Sequence, residues 1–290
     1  MDDSKHKSKT GIKRVAIQGG YGAFHEIAAL QYYGKDNVEI VPSNTFRDLF
    51  KSLKNRKADN GIMAIENSVA GSIIPNYALL RESKMKILGE VYLRIIQNLV
   101  VMPGVKIDDV QEVYSHPMAI LQCQKFFEKY PHVKLIESID TALSAKSIAE
   151  KKQKNTGAIS SVQAAEKYGL KVLFSSIEDN KANYTRFLIL GDKDEQLSSS
   201  EPVNKSSIYF ALAHEIGSLA KILSIFSYFN INLTKIQSLP IIGKEWEYEF
   251  YIDVEFNDYA LLQHSLEAAR PFTSSGFGVL GEYHKGISVM

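Results

Sequence analysis

A polar segment near residue 200 divides the chain into two parts that fold as separate units. Residues 191–204 read GDKDEQLSSSEPVN and contain almost no apolar side chains. This composition is typical of a linker, because it offers nothing to a hydrophobic core. We place a disordered tail at residues 1–12, a large domain at 13–192, a linker at 193–204 and a smaller domain at 205–285. A chain of 290 residues suits two such domains.

The large domain alternates short apolar runs with helical periodicity. Buried strands are predicted at residues 15–17, 61–65, 113–114, 133–136, 158–159, 172–174 and 186–190. Helices are predicted after the glycines at 19–22 and over residues 117–130, 141–151 and 161–168. Repeated alternation of strand and helix predicts an α/β domain with largely parallel sheets.

The smaller domain has a different order of elements. Strands are predicted at residues 207–213, 231–239, 246–254 and 277–280, and helices at 217–229 and 259–269. The order βαββαβ is the ferredoxin-like split βαβ plan. Such a unit exposes a sheet edge, so we expect it to pair with a second copy.

Charge and cysteine content exclude several classes of function. The 34 basic and 33 acidic side chains leave a net charge of +1, so no general field attracts nucleic acid or a membrane surface. No apolar stretch reaches the length of a membrane span, and the polar start lacks a secretory signal. We therefore expect a cytoplasmic protein. The single cysteine, Cys123, excludes internal disulfides and thiolate metal clusters, and its helical register with Ile120 and Phe127 predicts a core position.

Three short polar segments follow predicted strands, where open α/β sheets bind ligands. The glycines at 19–22 either make a tight turn or bring a helix N-terminus to a carboxylate. Residues 66–68 form either a turn or a ligand contact. In the segment 115–117, Ser115 suits the N-cap and Pro117 the first position of a helix, so His116 has no catalytic role on this ground alone.

Two further segments carry candidate site residues. Gln122 lies off the apolar stripe of its predicted helix and is free to face a cleft. Thr185 opens the last strand of the large domain, where β-propensity also explains a threonine. Arg186 follows it, and a charge in a buried strand needs a partner.

In this order the motifs resemble those of prephenate dehydratases. The resemblance covers residues 13–192 and continues into residues 231–236, which are similar to the ACT domain of the same family. It rests on the following blocks: Gly19-Gly20-Tyr21-Gly22-Ala23-Phe24, Ile65-Glu66-Asn67-Ser68, Ala70-Gly71-Ser72, Tyr114-Ser115-His116-Pro117, Gln122-Cys123, Asn183-Tyr184-Thr185-Arg186-Phe187 and Ile231-Asn232-Leu233-Thr234-Lys235-Ile236.

The resemblance implies a two-lobed α/β domain with a cleft like that of periplasmic binding proteins. One lobe would comprise residues 13–90 and 184–192, the other residues 91–183. It also implies decarboxylative dehydration of prephenate to phenylpyruvate, without metal or organic cofactor. Thr185 would donate a hydrogen bond to the departing hydroxyl, and Arg186 would bind a carboxylate. The implied substrate contacts are Glu66, Asn67, Ser68, Ser115, Gln122, Arg186 and Phe187.

The chain departs from the family pattern in both domains. The usual Thr and Ser of the glycine turn are Ala23 and His25, and Met118 replaces a frequent Gln, so we assign no catalytic role to these three positions. The resemblance implies L-phenylalanine as effector, bound between ACT domains of a homodimer or homotetramer. The implied effector contacts are Gly217, Ser218, Leu219, Ala220, Gln237, Ser238, Leu239 and Pro240, which replace the usual motifs G-A-L-V and E-S-R-P.

Two alternatives remain open at the level of sequence. An arogenate dehydratase performs the same elimination on the amino analogue of prephenate, and the motifs do not separate the two substrates. A non-catalytic amino-acid sensor could also combine a two-lobed cleft with an ACT domain. Measured turnover distinguishes the sensor from either enzyme.

Overall fold

A computed structural model describes residues 11–195 and 202–286. The predicted tail lies outside these ranges up to residue 10, and so does the middle of the predicted linker, residues 196–201. Within the described part of the chain, no helix is both long and apolar enough to cross a bilayer.

The N-terminal part, up to residue 195, contains two sheets with helices around them. Its elements in chain order are β1 (Lys13–Gln18), α1 (Phe24–Tyr33), β2 (Val38–Ser43), α2 (Phe46–Lys54), β3 (Asn60–Asn67), β4 (Gly71–Ser72), α3 (Ile74–Ser83), β5 (Lys86–Arg94), β6 (Asn98–Val101), β7 (Glu112–Ser115), α4 (Pro117–Leu121), α5 (Gln124–Phe127), β8 (Lys134–Glu137), α6 (Thr141–Lys151), β9 (Thr156–Ser160), α7 (Val162–Lys167), β10 (Lys171–Phe174) and β11 (Tyr184–Gly191).

Both sheets mix parallel and antiparallel strands. The first has the order β2-β1-β3-β11-β5, with β4 paired to β3; β1 runs parallel to β2 and β3, whereas β11 is antiparallel to β3 and β5. The second has the order β10-β6-β9-β7-β8; β7 runs parallel to β8 and β9, whereas β6 is antiparallel to β9 and β10. The prediction of largely parallel sheets was therefore wrong, because β11 in the first sheet and β6 in the second each run antiparallel to both of their neighbours.

Each sheet forms one lobe, and the chain passes between the lobes twice. Strand β5 continues to Arg94, so the first sheet extends four residues past the predicted boundary at residue 90. The chain then builds the second sheet and returns to the first at Tyr184. We call the two units the first lobe and the second lobe.

The predicted helix over residues 117–130 is broken in two. Helix α4 ends at Leu121, and α5 starts at Gln124. The carbonyl of Gln122 accepts a hydrogen bond from the Asp179 N–H at 2.7 Å, instead of continuing the helical ladder. Cys123 lies at the break, buried in the core of the second lobe, which confirms its core position.

The glycine turn of the first lobe packs directly on the second lobe. A Cβ atom on Gly22, which has φ +85°, would lie 2.5 Å from Cα of Ala164. Ser161 Oγ donates to the Gly22 carbonyl at 2.6 Å, and Tyr168 OH donates to the Tyr21 carbonyl at 3.0 Å. Glycine is needed here because the two backbones approach too closely for a side chain.

The C-terminal domain, residues 202–286, has the predicted order βαββαβ. Its elements are β12 (Lys205–Leu212), α8 (Ser218–Tyr228), β13 (Asn232–Pro240), β14 (Tyr248–Glu255), α9 (Tyr259–Ala269) and β15 (Phe277–Tyr283). The antiparallel sheet has the order β13-β14-β12-β15. Both helices contribute to a core with this sheet. Tyr251 and Tyr283 instead join the core of the first lobe, beside Tyr77 and Leu80.

Candidate active site

A cavity of about 260 Å³ lies between the two lobes and collects four of the predicted site residues. Asn67, Thr185 and Phe187 enter it from the first lobe, and Gln122 enters it from the second. Its volume suits a small, single-ring ligand. No Lys or Arg is found among the described residues that line it.

Asn67 and Thr185 form a hydrogen-bonded pair on neighbouring strands. They are cross-strand partners in β3 and β11, and Asn67 Nδ2 donates to Thr185 Oγ1 at 3.0 Å. Asn67 Oδ1 accepts from the N–H groups of Val69 and Ala70, at 3.0 and 2.8 Å, which fixes the orientation of the amide. The contact uses a lone pair of the Thr185 hydroxyl and leaves its O–H to donate to a ligand.

Amide side chains extend this pair across the cleft. Gln122 Nε2 lies 3.4 Å from Asn67 Oδ1, and Gln122 Oε1 accepts from Asn183 Nδ2 at 2.9 Å. Gln97 Nε2 lies 3.4 Å from Gln122 Oε1. Gln97 Oε1 is buried without a hydrogen-bond partner in the described structure, and Gln97 lines the cavity, so this oxygen can accept a hydrogen bond there.

His25 occupies an apolar part of the cavity wall. Its ring makes edge contacts with Phe46 and Phe187, at centroid distances of 5.5 and 5.0 Å, and its Nε2 accepts from the Ala64 N–H at 3.3 Å. Burial, together with a smaller contribution from nearby His116, lowers the pKa of His25 from 6.5 to about 3. His25 is therefore neutral near pH 7.

His116 and Asp140 are the remaining titratable groups of the cavity wall. His116, rather than Ser115, is the N-cap of α4, because its Nδ1 accepts from the Met118 N–H at 3.2 Å. Burial lowers the pKa of His116, while Asp140 opposes that shift. Asp140 caps α6 by accepting from the Leu143 N–H at 2.8 Å. Burial raises the pKa of this carboxyl, and its backbone hydrogen bonds oppose the shift.

The N-terminus of α1 also opens on the cavity. Ala23, its N-cap residue, has no side chain that can cap the helix, and Ala23, Phe24 and His25 all line the cavity. The first N–H groups of a helix lack intrahelical partners and carry partial positive charge. They can bind a carboxylate in a cavity that has no cationic side chain.

Four predicted substrate contacts lie outside this cavity. Ser115 is fully buried and donates to the Ile159 carbonyl at 2.8 Å, while Ser68 Oγ donates to the Ala182 carbonyl at 2.8 Å. Both hydroxyl groups therefore bind backbone carbonyls of neighbouring segments and hold those segments in place. Glu66 forms an ion pair with Lys235, and Arg186 with Glu90 and Asp253. The expectation that Arg186 binds a substrate carboxylate was wrong, because alternate strand residues face opposite sides of a sheet.

Sequence reasoning missed several polar residues of the wall, including Gln18, Gln97, Asp140 and Thr141. Gln18 directly follows the first predicted strand, residues 15–17, and its place at the end of a parallel strand could have identified it. Asp140 directly precedes the helix predicted over residues 141–151 and Thr141 begins it, and helix capping alone would explain an Asp at that position. His25 and Met118 line the cavity too, although their roles stay unassigned.

The predicted effector residues form two groups in the C-terminal domain. Gly217, with φ +80°, is the N-cap of α8, and Ser218, Leu219 and Ala220 form the first turn of that helix. Residues 237–240 end the edge strand β13, where Gln237, Ser238, Leu239 and Pro240 follow one another. Leu239 packs against the first-lobe core that contains Tyr77 and Leu80.

A mixed α/β fold with two lobes and a largely apolar interlobe cavity that contains a few polar groups defines a class of small-molecule enzymes and binding proteins. Comparison with known proteins identifies the family within that class. Residues 15–195 match the family described as PDT: Prephenate dehydratase. The chain is 37% identical to arogenate dehydratase 5, chloroplastic, of Arabidopsis thaliana, over 97% of this chain and 70% of that protein. The chain belongs to the prephenate dehydratase family, whose members are lyases.

Solved structures that resemble this chain over more than nine tenths of its length include the following two. The structure described as "GqqA- a novel type of quorum quenching acylases" has a TM-score of 0.83 and 28% identity, over 94% of this chain and 98% of that one. The prephenate dehydratase of Arthrobacter aurescens in complex with L-Phe has a TM-score of 0.83 and 25% identity, over 93% and 89% of the two chains.

Proposed function

We propose that the chain converts prephenate to phenylpyruvate, with loss of carbon dioxide and water. The observation that supports this reaction most directly is the Asn67–Thr185 pair in the interlobe cavity, with an oriented hydroxyl and an amide held by the backbone. A preorganised donor directed at developing charge is a large contribution to catalysis.

The elimination needs little from the protein, because aromatisation drives it. The bond from the ring to the carboxylate breaks, carbon dioxide leaves, and the electron pair enters the ring. The bond from the ring to the hydroxyl also breaks, its electron pair leaves with the oxygen, and the departing hydroxide takes a proton from solvent to become water. Thr185 stabilises the departing oxygen by donating its O–H, while Asn67 holds the Thr185 oxygen in place.

The apolar and neutral wall suits the ring and its side chain. Phe24, Phe46 and Phe187 line the cavity and can pack against the six-membered ring. The N-terminus of α1 would receive a carboxylate, in the role first expected of Arg186. The unpaired Gln97 oxygen would accept a hydrogen bond from a substrate O–H or N–H.

Arogenate is the second candidate substrate, favoured by Asp140. This carboxyl group is the acid that lines the cavity, and it would attract the ammonium group that arogenate has in place of the prephenate keto group. Asn also caps helices well, so Asp140→Asn keeps the start of α6. If Asp140 binds the ammonium group, this variant loses kcat/KM for arogenate and retains it for prephenate.

Turnover of the purified, chelator-treated protein tests the proposal and its alternatives together. We expect phenylpyruvate from prephenate without added metal or nucleotide. Preferential formation of phenylalanine from arogenate would identify an arogenate dehydratase instead. Binding of either compound without turnover would support the non-catalytic sensor. Acyl transfer has no support in the geometry, because Thr185 Oγ1 is paired with an amide rather than with a base.

The C-terminal domain is proposed to be an ACT-type regulatory domain that binds L-phenylalanine between two copies. The L-Phe complex of the Arthrobacter aurescens protein supports this choice of effector. Gln237 and Leu239 stand where the family has a Glu and an Arg, and Leu239 is engaged in packing against the first lobe. We therefore expect weaker binding than is usual for the family, measured by isothermal titration together with inhibition curves. Tight binding with steep inhibition would contradict this expectation.

A further inference from the structure

The C-terminal domain contacts the two strands that carry Asn67 and Thr185 from the side opposite the cavity. In the pairing of β3 with β11, Asn67 is opposite Thr185, and the adjacent Glu66 is opposite Arg186. Asn67 and Thr185 line the cavity. Glu66 and Arg186 reach the C-terminal domain instead, through ion pairs with Lys235 and Asp253.

Arg186 is at the centre of a buried network between the domains. Its Nε lies 2.6 Å from Glu90 Oε2, its Nη1 pairs with Asp253, and its Nη2 donates to the Tyr283 hydroxyl at 3.0 Å. Lys205 Nζ donates to the two Glu90 oxygens at 2.9 and 3.1 Å. Burial opposes the charge on Arg186, but Asp253 and Glu90 outweigh it and raise the pKa of Arg186 above its ordinary value.

Two ion pairs of this network, Arg186–Asp253 and Lys205–Glu90, form only when the two domains are docked. The first lobe supplies Arg186 and Glu90, and the C-terminal domain supplies Lys205 and Asp253. A buried ion that loses its partner is strongly destabilising, because its desolvation is no longer compensated. The docking of the C-terminal domain therefore fixes Arg186, which is the residue directly after Thr185 in β11.

Lys235 holds the other strand in the same way. Its Nζ lies 2.8 Å from Glu66 Oε1 and donates to Ser72 Oγ at 2.9 Å. Glu66 and Ser72 are cross-strand partners in the hairpin of β3 and β4. The turn of that hairpin contains Val69 and Ala70, whose N–H groups orient the Asn67 amide.

We propose that Lys235 and Asp253 are positioning residues for the dehydratase reaction. Lys235 and Asp253 hold Glu66 and Arg186 in place by ion pairs. Because these two residues adjoin Asn67 and Thr185 in β3 and β11, the ion pairs also set the position of the Asn67–Thr185 pair relative to the substrate. A ligand that displaces β13 or β14 would change turnover by this route. The inference rests on the proposed function, which identifies Asn67 and Thr185 as the reacting pair.

The Lys235→Met substitution tests the inference with little risk to folding. Glu66 is 35% exposed at its side chain, so water can solvate it when the ammonium group is absent. We expect kcat to fall about tenfold with KM within about twofold, because a small misplacement of a catalytic group slows turnover more than binding. Lys235→Arg keeps the cation and is expected to restore most of kcat. The matched control is Lys244→Met, whose exposed ion pair with Glu247 lies on the hairpin between β13 and β14.

A double-mutant cycle shows whether Lys235 acts through Thr185. The effects of Lys235→Met and Thr185→Ser on kcat should be less than multiplicative if Lys235 acts by positioning this hydroxyl. Independent, multiplicative effects would overturn the proposal, and so would an unchanged kcat in Lys235→Met.

Hydrogen exchange separates failure of this inference from failure of the proposed function. Without substrate, peptides from β3 and β11 should exchange faster in Lys235→Met than in the wild type or Lys244→Met. If the wild type turns over neither prephenate nor arogenate, the proposed function fails, and faster exchange still supports the mechanical link. Unchanged exchange in these strands overturns the link itself.

Discussion

At the scale of single residues, the site depends on neutral donors whose orientation the backbone sets. The Asn67 amide is fixed by the N–H groups of Val69 and Ala70, and its Nδ2 in turn holds the Thr185 hydroxyl. Such a donor needs no reorganisation when negative charge develops on the leaving oxygen. The catalytic contribution of Thr185 is therefore that of a fixed dipole rather than of a free acid.

Thr185→Ala is expected to lower kcat by about 10²–10³ while KM changes little, because one transition-state donor is removed. Thr185→Ser keeps the hydroxyl and should retain more activity. Steady-state kinetics with prephenate and arogenate measure both effects, and thermal unfolding confirms that the variants are folded. A kcat for Thr185→Ala equal to that of the wild type would reduce Thr185 to a residue of the strand.

His25 makes folding stability sensitive to acid. Its folded pKa is about 3, against 6.5 when unfolded. Below pH 6.5 the His25 ring is protonated in the unfolded state. In the folded state it stays neutral until the pH approaches 3. The stability that comes from the neutral ring is complete above pH 6.5 and is lost as the pH falls towards 3, at up to about 1.4 kcal/mol per pH unit.

The His25→Gln substitution tests this sensitivity, because glutamine stays neutral and can accept from the Ala64 N–H. Between about pH 7.5 and about pH 5, the Tm of the wild type should fall further than that of the variant. Substitution of the exposed His132 by glutamine is the matched control and should leave the pH dependence unchanged. Parallel curves for wild type and His25→Gln would refute the assignment.

Residue roles were harder to predict from the sequence than residue positions. The order of the motifs identified Asn67, Gln122, Thr185 and Phe187, which the structure brings to one cavity. Arg186 was assigned to a substrate carboxylate. Successive residues of a strand face opposite sides of the sheet, however, so Arg186 faces away from the side that Thr185 faces. Its partners, Glu90 and Asp253, lie 96 and 67 residues away in sequence. No local pattern could have indicated them.

At the scale of elements, strand and helix positions followed closely from periodicity, but their connections did not. Helices α9 and α6 both have their predicted bounds. The direction of β11 was missed, because it depends on the strands that β11 joins rather than on its own sequence. The break between α4 and α5 was missed because Asp179, which causes it, lies in a distant loop.

The glycine turn gives a prediction about contact between the lobes. Gly22→Ala introduces both an unfavourable φ and a clash with Ala164. The clash should separate the glycine turn from the second lobe, and we expect kcat/KM to fall by at least about tenfold. Gly104→Ala is a matched control, because Gly104 has φ +89° but nothing within 4 Å of the added methyl group. Equal losses of activity in the two variants would mean that backbone strain alone, not interlobe contact, is responsible.

At the scale of the whole molecule, one side of the C-terminal domain packs against the first lobe, and another side is exposed to solvent. Tyr251 and Tyr283 are buried against the first lobe. On other surfaces Ile236, Ile242 and Trp246 are exposed, and β13 is an edge strand. Apolar side chains beside an open sheet edge favour association with another chain.

We expect at least a homodimer through this domain at micromolar concentration, measured by light scattering. A lysine in place of Ile236 on the edge strand should weaken the association, because charged side chains on an edge oppose strand pairing. The same change at Ile12, exposed at the start of the first lobe, is the control. A monomeric wild type, or equal association of both variants, would contradict the expected interface.

The position of β11 also determines the earliest point during synthesis at which the first lobe can be complete. This strand separates β3 from β5 in the first sheet, so that sheet stays open until residue 191 has left the ribosome. The second lobe lies wholly between the two crossings and has all its strands available earlier. Domains generally fold as units during synthesis. The second lobe can therefore fold first, and the half of the active site that contains Thr185 is assembled last.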